Sequence, residues 1–196
     1  PVDHIQVDII MSNRPIDHFT AAESAQILMA KKLVQDKLET FNMTVRKLGP
    51  MHEHSYFLTG GAIGSLLRGE EPNDIDVYFV NEQSAKEITR IFIEDESYKN
   101  MVAEVDENYR QVTNLNDGKL ITENAITLKS GLQLITKYYG TPEEIRKTFD
   151  YVHCLPIYVP AYDKLYISPE QYYCCVNKIL KVKYFCTIVQ CVCVLS

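Results

Sequence analysis

Two aspartates one residue apart, Asp74 and Asp76, are the side chains of this 196-residue sequence whose type and spacing point most directly to chemistry. Side chains on a strand alternate between faces, so both carboxylates are expected to point the same way. Like charges held this close repel each other, and a divalent cation offsets the repulsion. Oxygen ligands suit Mg²⁺ or Mn²⁺, which keep some waters and take further oxygens from phosphates. The pair therefore predicts a magnesium or manganese site.

A double glycine precedes the aspartates, and its second member, Gly61, stands thirteen positions before Asp74. Glycine adopts backbone conformations closed to other residues, and it lets main-chain N–H groups approach an anion. Each motif alone is common, and a strand and turn with solvent-facing acids is the alternative interpretation. Together the two motifs predict a phosphate-binding turn beside a metal pair.

The elements that must position these residues follow from hydrophobic periodicity and turn signals. Around the motifs we predict strand 56–58, helix 62–68, strand 75–80, helix 81–93 and a hairpin of strands 125–129 and 132–138. The flanking elements are strand 5–10, a helix from a capping box at Thr20, helix 141–149, strand 150–159 and helix 168–182. The first of these helices is about 20 residues long. Alternating strands and helices predict an α/β or α+β fold, a sheet with helices on one side.

The composition indicates one folded domain, residues 1–196, with 46% hydrophobic and 23% charged residues. We divide it into an N-terminal strand and helix (1–54), a catalytic core (55–183) and an apolar tail (184–196). The 20 basic and 26 acidic residues give a net charge of −6, which argues against strong general affinity for nucleic acid. No signal segment and no apolar run of about 20 residues is visible, so a cytoplasmic protein is expected.

Cysteine and histidine residues offer other sites. Five of the six cysteines lie in the last 23 residues, which favours reduced, buried thiols over a disulfide framework. The final tetrapeptide, Cys193-Val-Leu-Ser196, matches the prenylation pattern, and modification of Cys193 is the one route by which we expect membrane contact. The pairs His52/His54 and His153/Cys154 lack a set of four metal ligands, so packing is the favoured interpretation.

The two motifs carry a resemblance to a known family. The run from Gly60-Gly61-Ala-Ile-Gly-Ser to Pro72-Asn73-Asp74-Ile75-Asp76 resembles the nucleotidyltransferase superfamily, which includes DNA polymerase beta, the CCA-adding enzymes and poly(A) polymerases. The stretch 124–154 is similar to uncharacterised nucleotidyltransferase-like proteins of phages and other viruses. The resemblance covers roughly residues 55–183 and implies a mixed sheet of the nucleotidyltransferase type, flanked by helices.

The resemblance also implies an activity and the residues that carry it. A metal-dependent nucleotidyltransferase moves a nucleoside monophosphate from a nucleoside triphosphate, such as ATP, to an acceptor hydroxyl and releases pyrophosphate. A third carboxylate on a later strand is implied, so that Asp74, Asp76 and Asp150 are the expected catalytic residues and ligands of two Mg²⁺ ions. The implied nucleotide-binding residues are Thr59, Gly60, Gly61, Ser65 and Arg68.

Several alternatives stay open at this point. Asp150 is also consistent with a turn residue that ends helix 141–149, and Arg68 with a surface salt bridge. The acceptor is an RNA end, a protein or a small molecule. A function of another class is an inactive protein that keeps the fold and acts as a binding or interaction module.

Overall fold

The protein is described by a computed structural model that covers residues 19–104 and 119–183, together with the backbone of residues 192–194. The predicted strand 5–10 lies outside the described residues, and so does most of the tail 184–196. Within the described part of the chain, no helix combines the length and the apolar character that a membrane crossing requires.

The longest element is a helix of 28 residues, α1 (Ala21–Leu48). It begins at the predicted capping box: the Thr20 hydroxyl accepts the Glu23 N–H at 3.2 Å, and the Glu23 carboxylate accepts the Thr20 N–H at 2.7 Å. The helix is longer than predicted because its buried stripe continues to Val45. It ends at Gly49, whose φ of +124° and following proline prevent further helix.

The remaining helices are short. They are α2 (Gly61–Leu67), α3 (Glu82–Glu94), α4 (Glu96–Lys99), α5 (Pro142–Lys147) and α6 (Pro169–Val176). Single turns of 3-10 helix occur at Pro50–His52, Val152–Cys154 and Pro160–Tyr162. Both α5 and α6 begin at capping boxes, which confirms their predicted starting points.

Six strands form one mixed sheet, and two more form a separate hairpin. The strands are β1 (Tyr56–Thr59), β2 (Ile75–Phe79), β3 (Ala125–Thr127), β4 (Leu132–Tyr139), β5 (Ile157–Val159), β6 (Lys164–Tyr166), β7 (Ile179–Lys181) and β8 (Val192–Val194). The order in the large sheet is β3-β4-β2-β1-β5-β6. Strands β2 and β4 run parallel, and the other neighbours in this sheet run antiparallel. The predicted α+β fold, with a mixed sheet flanked by helices, is confirmed.

The sheet is covered on both faces. On one face, Leu58 and Val77 join a core that includes Leu38 of α1. On the other face, Phe57 and Tyr78 pack with Ile145 of α5. The prediction that all helices lie on one side is therefore wrong, because α5 supplies an apolar residue to the second face.

Two predicted elements differ from the structure. Strand 150–159 is replaced by the turn Val152–Cys154 and the short strand β5. Helix 168–182 ends at Val176, because Lys178 adopts a left-handed conformation (φ +53°) and the chain continues as β7, which pairs with β8. In both places pairing with a distant segment overrides local periodicity.

Three side-chain contacts of α1 fix the elements that surround the start of β2. The Gln26 amide donates to the Leu67 carbonyl at the end of α2 at 2.6 Å, and its oxygen accepts the Tyr172 hydroxyl of α6. Lys37 forms an ion pair with Glu71 in the loop before β2. The long helix thus holds α2, α6 and this loop in one arrangement.

The buried stripe of α1 gives a direct test of this architecture. Leu38→Ala is expected to lower the free energy of unfolding by about 2–5 kcal/mol, because Leu38 is fully buried and the cavity left behind refills poorly. Urea denaturation measures this loss. Met29→Ala on the same helix is the control, since Met29 is 63% exposed and should change stability by no more than about 0.5 kcal/mol. Equal losses for the two variants would contradict the packing of α1.

Candidate functional site

A cleft of about 310 Å³ opens where β2 begins. Its walls come from α2, the loop before β2, the turn Val152–Cys154 and the end of α6. The residues that line it are Gly61, Ala62, Ser65, Arg68, Pro72, Asn73, Asp74, Asp76, His153, Cys174, Cys175 and Lys178. The cleft therefore contains both predicted motifs, the glycine turn and the aspartate pair.

The aspartate pair lies on one wall of the cleft, as its spacing predicts. Asp74 immediately precedes β2 and is exposed, whereas Asp76 lies within the strand and is half-buried. Ile75 and Val77 point the other way and are almost fully buried. Burial, and secondarily the charge of Asp74, raises the pKa of Asp76 to about 6. The fold thus holds two carboxylates on one wall, in a place that disfavours the charge of Asp76.

No described residue donates a hydrogen bond to either carboxylate. A half-buried acid without a donor is unusual, since most such groups are paired. Gly60 makes room for it: with φ at +104°, a β-carbon at this position would lie 3.3 Å from Asp76 Oδ2. The backbone therefore leaves the carboxylate accessible from the cleft and supplies no internal partner.

Thr59 and Gly60, predicted as nucleotide contacts, form hydrogen bonds within the protein. The Thr59 hydroxyl is directed at two carbonyl oxygens, that of Cys154 at 3.1 Å and that of Pro156 at 2.9 Å. The Gly60 N–H donates to the Cys154 carbonyl at 3.0 Å. Neither residue lines the cleft. They anchor the turn Val152–Cys154 against the end of β1.

Gly61, Ser65 and Arg68, the other predicted nucleotide contacts, do line the cleft. Arg68 also forms an ion pair with Glu70 at 2.7 Å, as the alternative interpretation of this residue predicts. Its Nη1 donates to the Cys175 carbonyl at 2.7 Å, and its Nη2 to the Ser65 hydroxyl at 3.3 Å. The guanidinium is therefore fixed at the junction of α2 and α6.

Asp150 is placed apart from the other two aspartates. It is exposed in the segment after α5, does not line the cleft, and its carbonyl accepts the Lys183 N–H at 2.7 Å. Across the described residues, no group of three histidine, cysteine or acidic side chains is arranged to hold a metal. The strand beside β2 is β4, where Gln133 pairs with Asp76. The predicted set of three carboxylates is thus not assembled.

The remaining pair supplies fewer carboxylates than the predicted two-ion site requires. Mg²⁺ is commonly held by one or two carboxylates, with waters and substrate phosphates completing its six ligands. Asp74 and Asp76 both line the cleft, and no residue that the structure describes donates a hydrogen bond to them. The donor set is therefore suited to a cation that arrives with a phosphate ligand.

Several residues of the cleft are not among the predicted metal or nucleotide contacts. Lys178 falls within the predicted helix 168–182, but it adopts a left-handed conformation after the end of α6 and lines the cleft. Burial, together with the charge of Arg68, lowers the pKa of His153, so its imidazole is neutral at pH 7. Burial raises the pKa of the Cys175 thiol to about 12, which excludes a thiolate nucleophile at neutral pH.

The histidine pair considered for a transition metal is divided between elements. His52 Nδ1 lies 3.8 Å from a Glu87 carboxylate oxygen on α3, and the His54 ring packs against Tyr162 at 5.5 Å between centroids. His52 is buried and His54 packs on an aromatic ring, so the two histidines lie in different surroundings.

The raised pKa of Asp76 predicts how stability depends on pH. Below the ordinary value of 3.8, Asp76 is protonated in both the folded and the unfolded state, and its pKa shift does not affect stability. Between pH 3.8 and about 6 only the unfolded state ionises, so the free energy of unfolding falls as the pH rises. Above about pH 6 the folded state is ionised as well, and the full cost of the charge at Asp76 applies. Asp76→Asn removes this cost. After allowance for solvent screening we expect a gain of about 1 kcal/mol at pH 7.5, which raises Tm by roughly 2–4 °C.

Thermal unfolding without divalent cations, at pH 4.5 and pH 7.5, measures this gain. The increase in Tm should be smaller at pH 4.5, where wild-type Asp76 is already largely protonated. An equal increase at both pH values would show that the asparagine stabilises through packing and not through loss of charge.

The buried hydroxyl of Thr59 gives a second test. Thr59→Val keeps the shape of the side chain but leaves the carbonyls of Cys154 and Pro156 without this donor, so we expect a loss of about 1–3 kcal/mol in the free energy of unfolding. Thr40→Val on the exposed side of α1 is the matched control and should change little. No difference between the variants in urea denaturation would contradict the anchoring role of Thr59.

Comparison with known proteins corrects the assignment made from the motifs. A family model, described as Gabija anti-defense 2 family protein, matches residues 29–173, about three quarters of the chain. A search of curated proteins found no match. The matched range contains both motifs, so the assignment to the nucleotidyltransferase superfamily and to viral relatives of it is wrong: the family that matches is another one. The chain belongs to the Gabija anti-defense 2 family.

Proposed function

We propose that this protein binds a divalent cation and a nucleoside triphosphate in the cleft and transfers the nucleoside monophosphate to an acceptor hydroxyl. The proposal rests on one observation. Asp74 and Asp76, two carboxylates to which no described residue donates a hydrogen bond, line the same cleft as the cations Arg68 and Lys178. A metal–polyphosphate is a ligand that presents both charges, a cation and an oxyanion, within a few ångströms. Its binding would satisfy both walls of the cleft together.

Perturbed acids in clefts are frequently functional, and the raised pKa of Asp76 supports the proposal on this ground. The volume of about 310 Å³ is at the small end of ligand sites, which commonly reach about 300–1,000 Å³. It accommodates the phosphates and part of the nucleoside, and the acceptor approaches from the open side.

Each cleft residue has a part in the proposed reaction. Asp74 and Asp76 hold the cation, and Arg68 and Ser65 orient the phosphates. The cation, when bound, polarises the α-phosphate and stabilises charge on the leaving pyrophosphate. The acceptor oxygen forms the new bond to phosphorus as the bond to pyrophosphate breaks. The neutral imidazole of His153, which lines the same cleft, is the proposed acceptor of the hydroxyl proton.

The family description bears on the acceptor. The name of the family attributes to its members an action against a defence called Gabija. We therefore propose that the acceptor is a component of this defence or a molecule on which it depends, encountered in the cytoplasm. The net charge of −6 favours a protein or small molecule over an RNA end, because it weakens general attraction to a phosphate backbone.

The second candidate is a binding module without turnover, and a specific observation favours it. The position beside Asp76 on β4 is Gln133, an amide, and Asp150 lies outside the cleft. A protein that binds a metal–nucleotide and does not react with it would need only the two carboxylates and the cations. Both candidates share the binding step and differ only in chemistry.

Calorimetry with ATP and Mg²⁺ tests the shared step. We expect binding that depends on Mg²⁺, and Asp74→Asn should weaken it about tenfold or more, because the cation loses one of two charged ligands. Asp36→Asn on the surface of α1 is the charge-matched control and should bind like the wild type. Asp150→Asn should do so as well; a comparable loss with this variant would restore the set of three carboxylates. Absence of Mg²⁺-dependent binding to the wild type would contradict both candidates.

Incubation with nucleoside triphosphates labelled at the α-phosphate then separates the two candidates. Label transferred to a molecule of a lysate that contains the Gabija defence, with release of pyrophosphate, would support transfer. The same experiment with Asp76→Asn should give no labelled product. Binding without any labelled product would favour the module.

A further inference from the structure

One carboxylate, that of Glu70, already contacts both cations of the cleft, although Glu70 is not itself among the residues that line it. Glu70 Oε2 accepts hydrogen bonds from Arg68 Nε at 2.9 Å and from Arg68 Nη2 at 2.7 Å. Its other oxygen, Oε1, lies 3.1 Å from the Lys178 ammonium. Glu70 therefore bridges both cations that line the cleft, although its side chain is 43% exposed.

The end of α2 sets this position. Gly69 adopts φ +71° and donates its N–H to the Leu66 carbonyl at 3.1 Å, and the Glu70 N–H donates to the Ser65 carbonyl at 2.9 Å. These two bonds form a Schellman motif, in which a left-handed residue reverses the chain after a helix. The reversal brings Glu70 back over Arg68, only two residues away in sequence. The contact is thus specified by the backbone and not by chance proximity of flexible side chains.

The Arg68 guanidinium is held independently of Glu70. Its Nη1 donates to the Cys175 carbonyl at the end of α6, and its Nη2 donates to the Ser65 hydroxyl as well as to Glu70. Lys178 follows the same helix in a left-handed conformation, and it lines the cleft beside Arg68. Removal of the Glu70 carboxylate would leave these two cations without the carboxylate that they share, an arrangement suited to an oxyanion.

We propose that Arg68 and Lys178 form a subsite for the terminal phosphates of a polyphosphate, and that Glu70 occupies this subsite until the ligand displaces it. This inference rests on the proposed function for the identity of the ligand. Glu70 acts as an internal competitor: it neutralises the cations in the free protein and lowers affinity for anions of small charge.

The energetics favour exchange. An ion pair exposed to solvent is screened by water and contributes little to stability, so Glu70 is a weak occupant. A terminal phosphate carries more charge and offers two oxygens to the guanidinium edge. The contact with Arg68, and then that with Lys178, lowers the pKa of Glu70 to about 2, so the competitor remains ionised throughout the physiological range. Protonation of Glu70 therefore does not drive the exchange in this range.

The test uses inorganic tripolyphosphate without any divalent cation, measured by calorimetry at fixed ionic strength. Glu70→Gln should bind tripolyphosphate about two- to tenfold more tightly than the wild type, because the competing charge is gone and the shape is kept. Glu71→Gln is the matched control: it removes the same charge one residue away, where Glu71 pairs with Lys37 of α1. Its affinity should equal that of the wild type. Equal tightening in both variants would overturn the proposal, since net charge alone would explain it.

A second pair of variants tests the role of the Lys178 ammonium. Lys178→Asn should weaken tripolyphosphate binding to Glu70→Gln about fivefold or more, and asparagine tolerates the left-handed backbone at this position. Lys129→Asn, in the turn between β3 and β4, is the control for loss of a positive charge. Equal weakening by the two lysine variants would overturn the subsite.

These experiments distinguish failure of the subsite proposal from failure of the proposed function. Tripolyphosphate binding in the absence of metal needs neither Asp74 nor Asp76. If Glu70→Gln tightens tripolyphosphate binding and Mg²⁺–ATP binds nowhere, the subsite stands and the nucleotide proposal fails. If Mg²⁺–ATP binds through Asp74 and Glu70→Gln leaves tripolyphosphate affinity unchanged, the nucleotide proposal stands and the competitor role of Glu70 fails.

Discussion

The half-buried charge of Asp76, held beside Asp74 on one face of β2, is the constraint on which the cleft depends. The strand alternation of β2 forces both carboxylates onto one face, and burial raises the pKa of Asp76 to about 6. The described residues donate no hydrogen bond to either group. Ionisation of Asp76 in this place lowers the stability of the folded protein at neutral pH. A cation between the carboxylates would remove that loss, so the unfavourable charge is itself the strongest argument for a ligand.

Hydrogen bonds between distant segments hold the surroundings of the pair in place. Thr59 and Gly60 fasten the turn Val152–Cys154 to β1, while Gln26 joins the ends of α2 and α6 to the long helix. The two walls of the cleft differ mainly in charge. Asp74 and Asp76 receive no hydrogen bond from the described residues, whereas Arg68 and Lys178 are already paired with Glu70. Binding at this cleft would exchange an internal ion pair for an external one at nearly constant packing.

The family match contradicts an assignment that rested on two short local motifs. The glycine turn and the aspartate pair are short, and their physical roles, close backbone approach and cation binding, can arise in more than one family. The family model covers residues 29–173, including elements that the motif comparison did not use. The chemistry inferred from the motifs therefore remains a proposal that rests on the cleft of this protein alone.

The sequence by itself determined the features that depend on neighbouring residues. Capping boxes at Thr20, Thr141 and Ser168, the hairpin of β3 and β4, and the common face of Asp74 and Asp76 all follow from spacings of a few residues. These interactions are local, so their geometry is readable from the chain.

Only the tertiary structure decided which distant residues join the cleft. Asp150 is excluded, Gln133 lies beside Asp76, and Lys178 reaches the cleft because its helix ends early and the chain turns into β7. Each outcome depends on pairing between segments far apart in sequence, whose energies compete with local preference and leave no local signal.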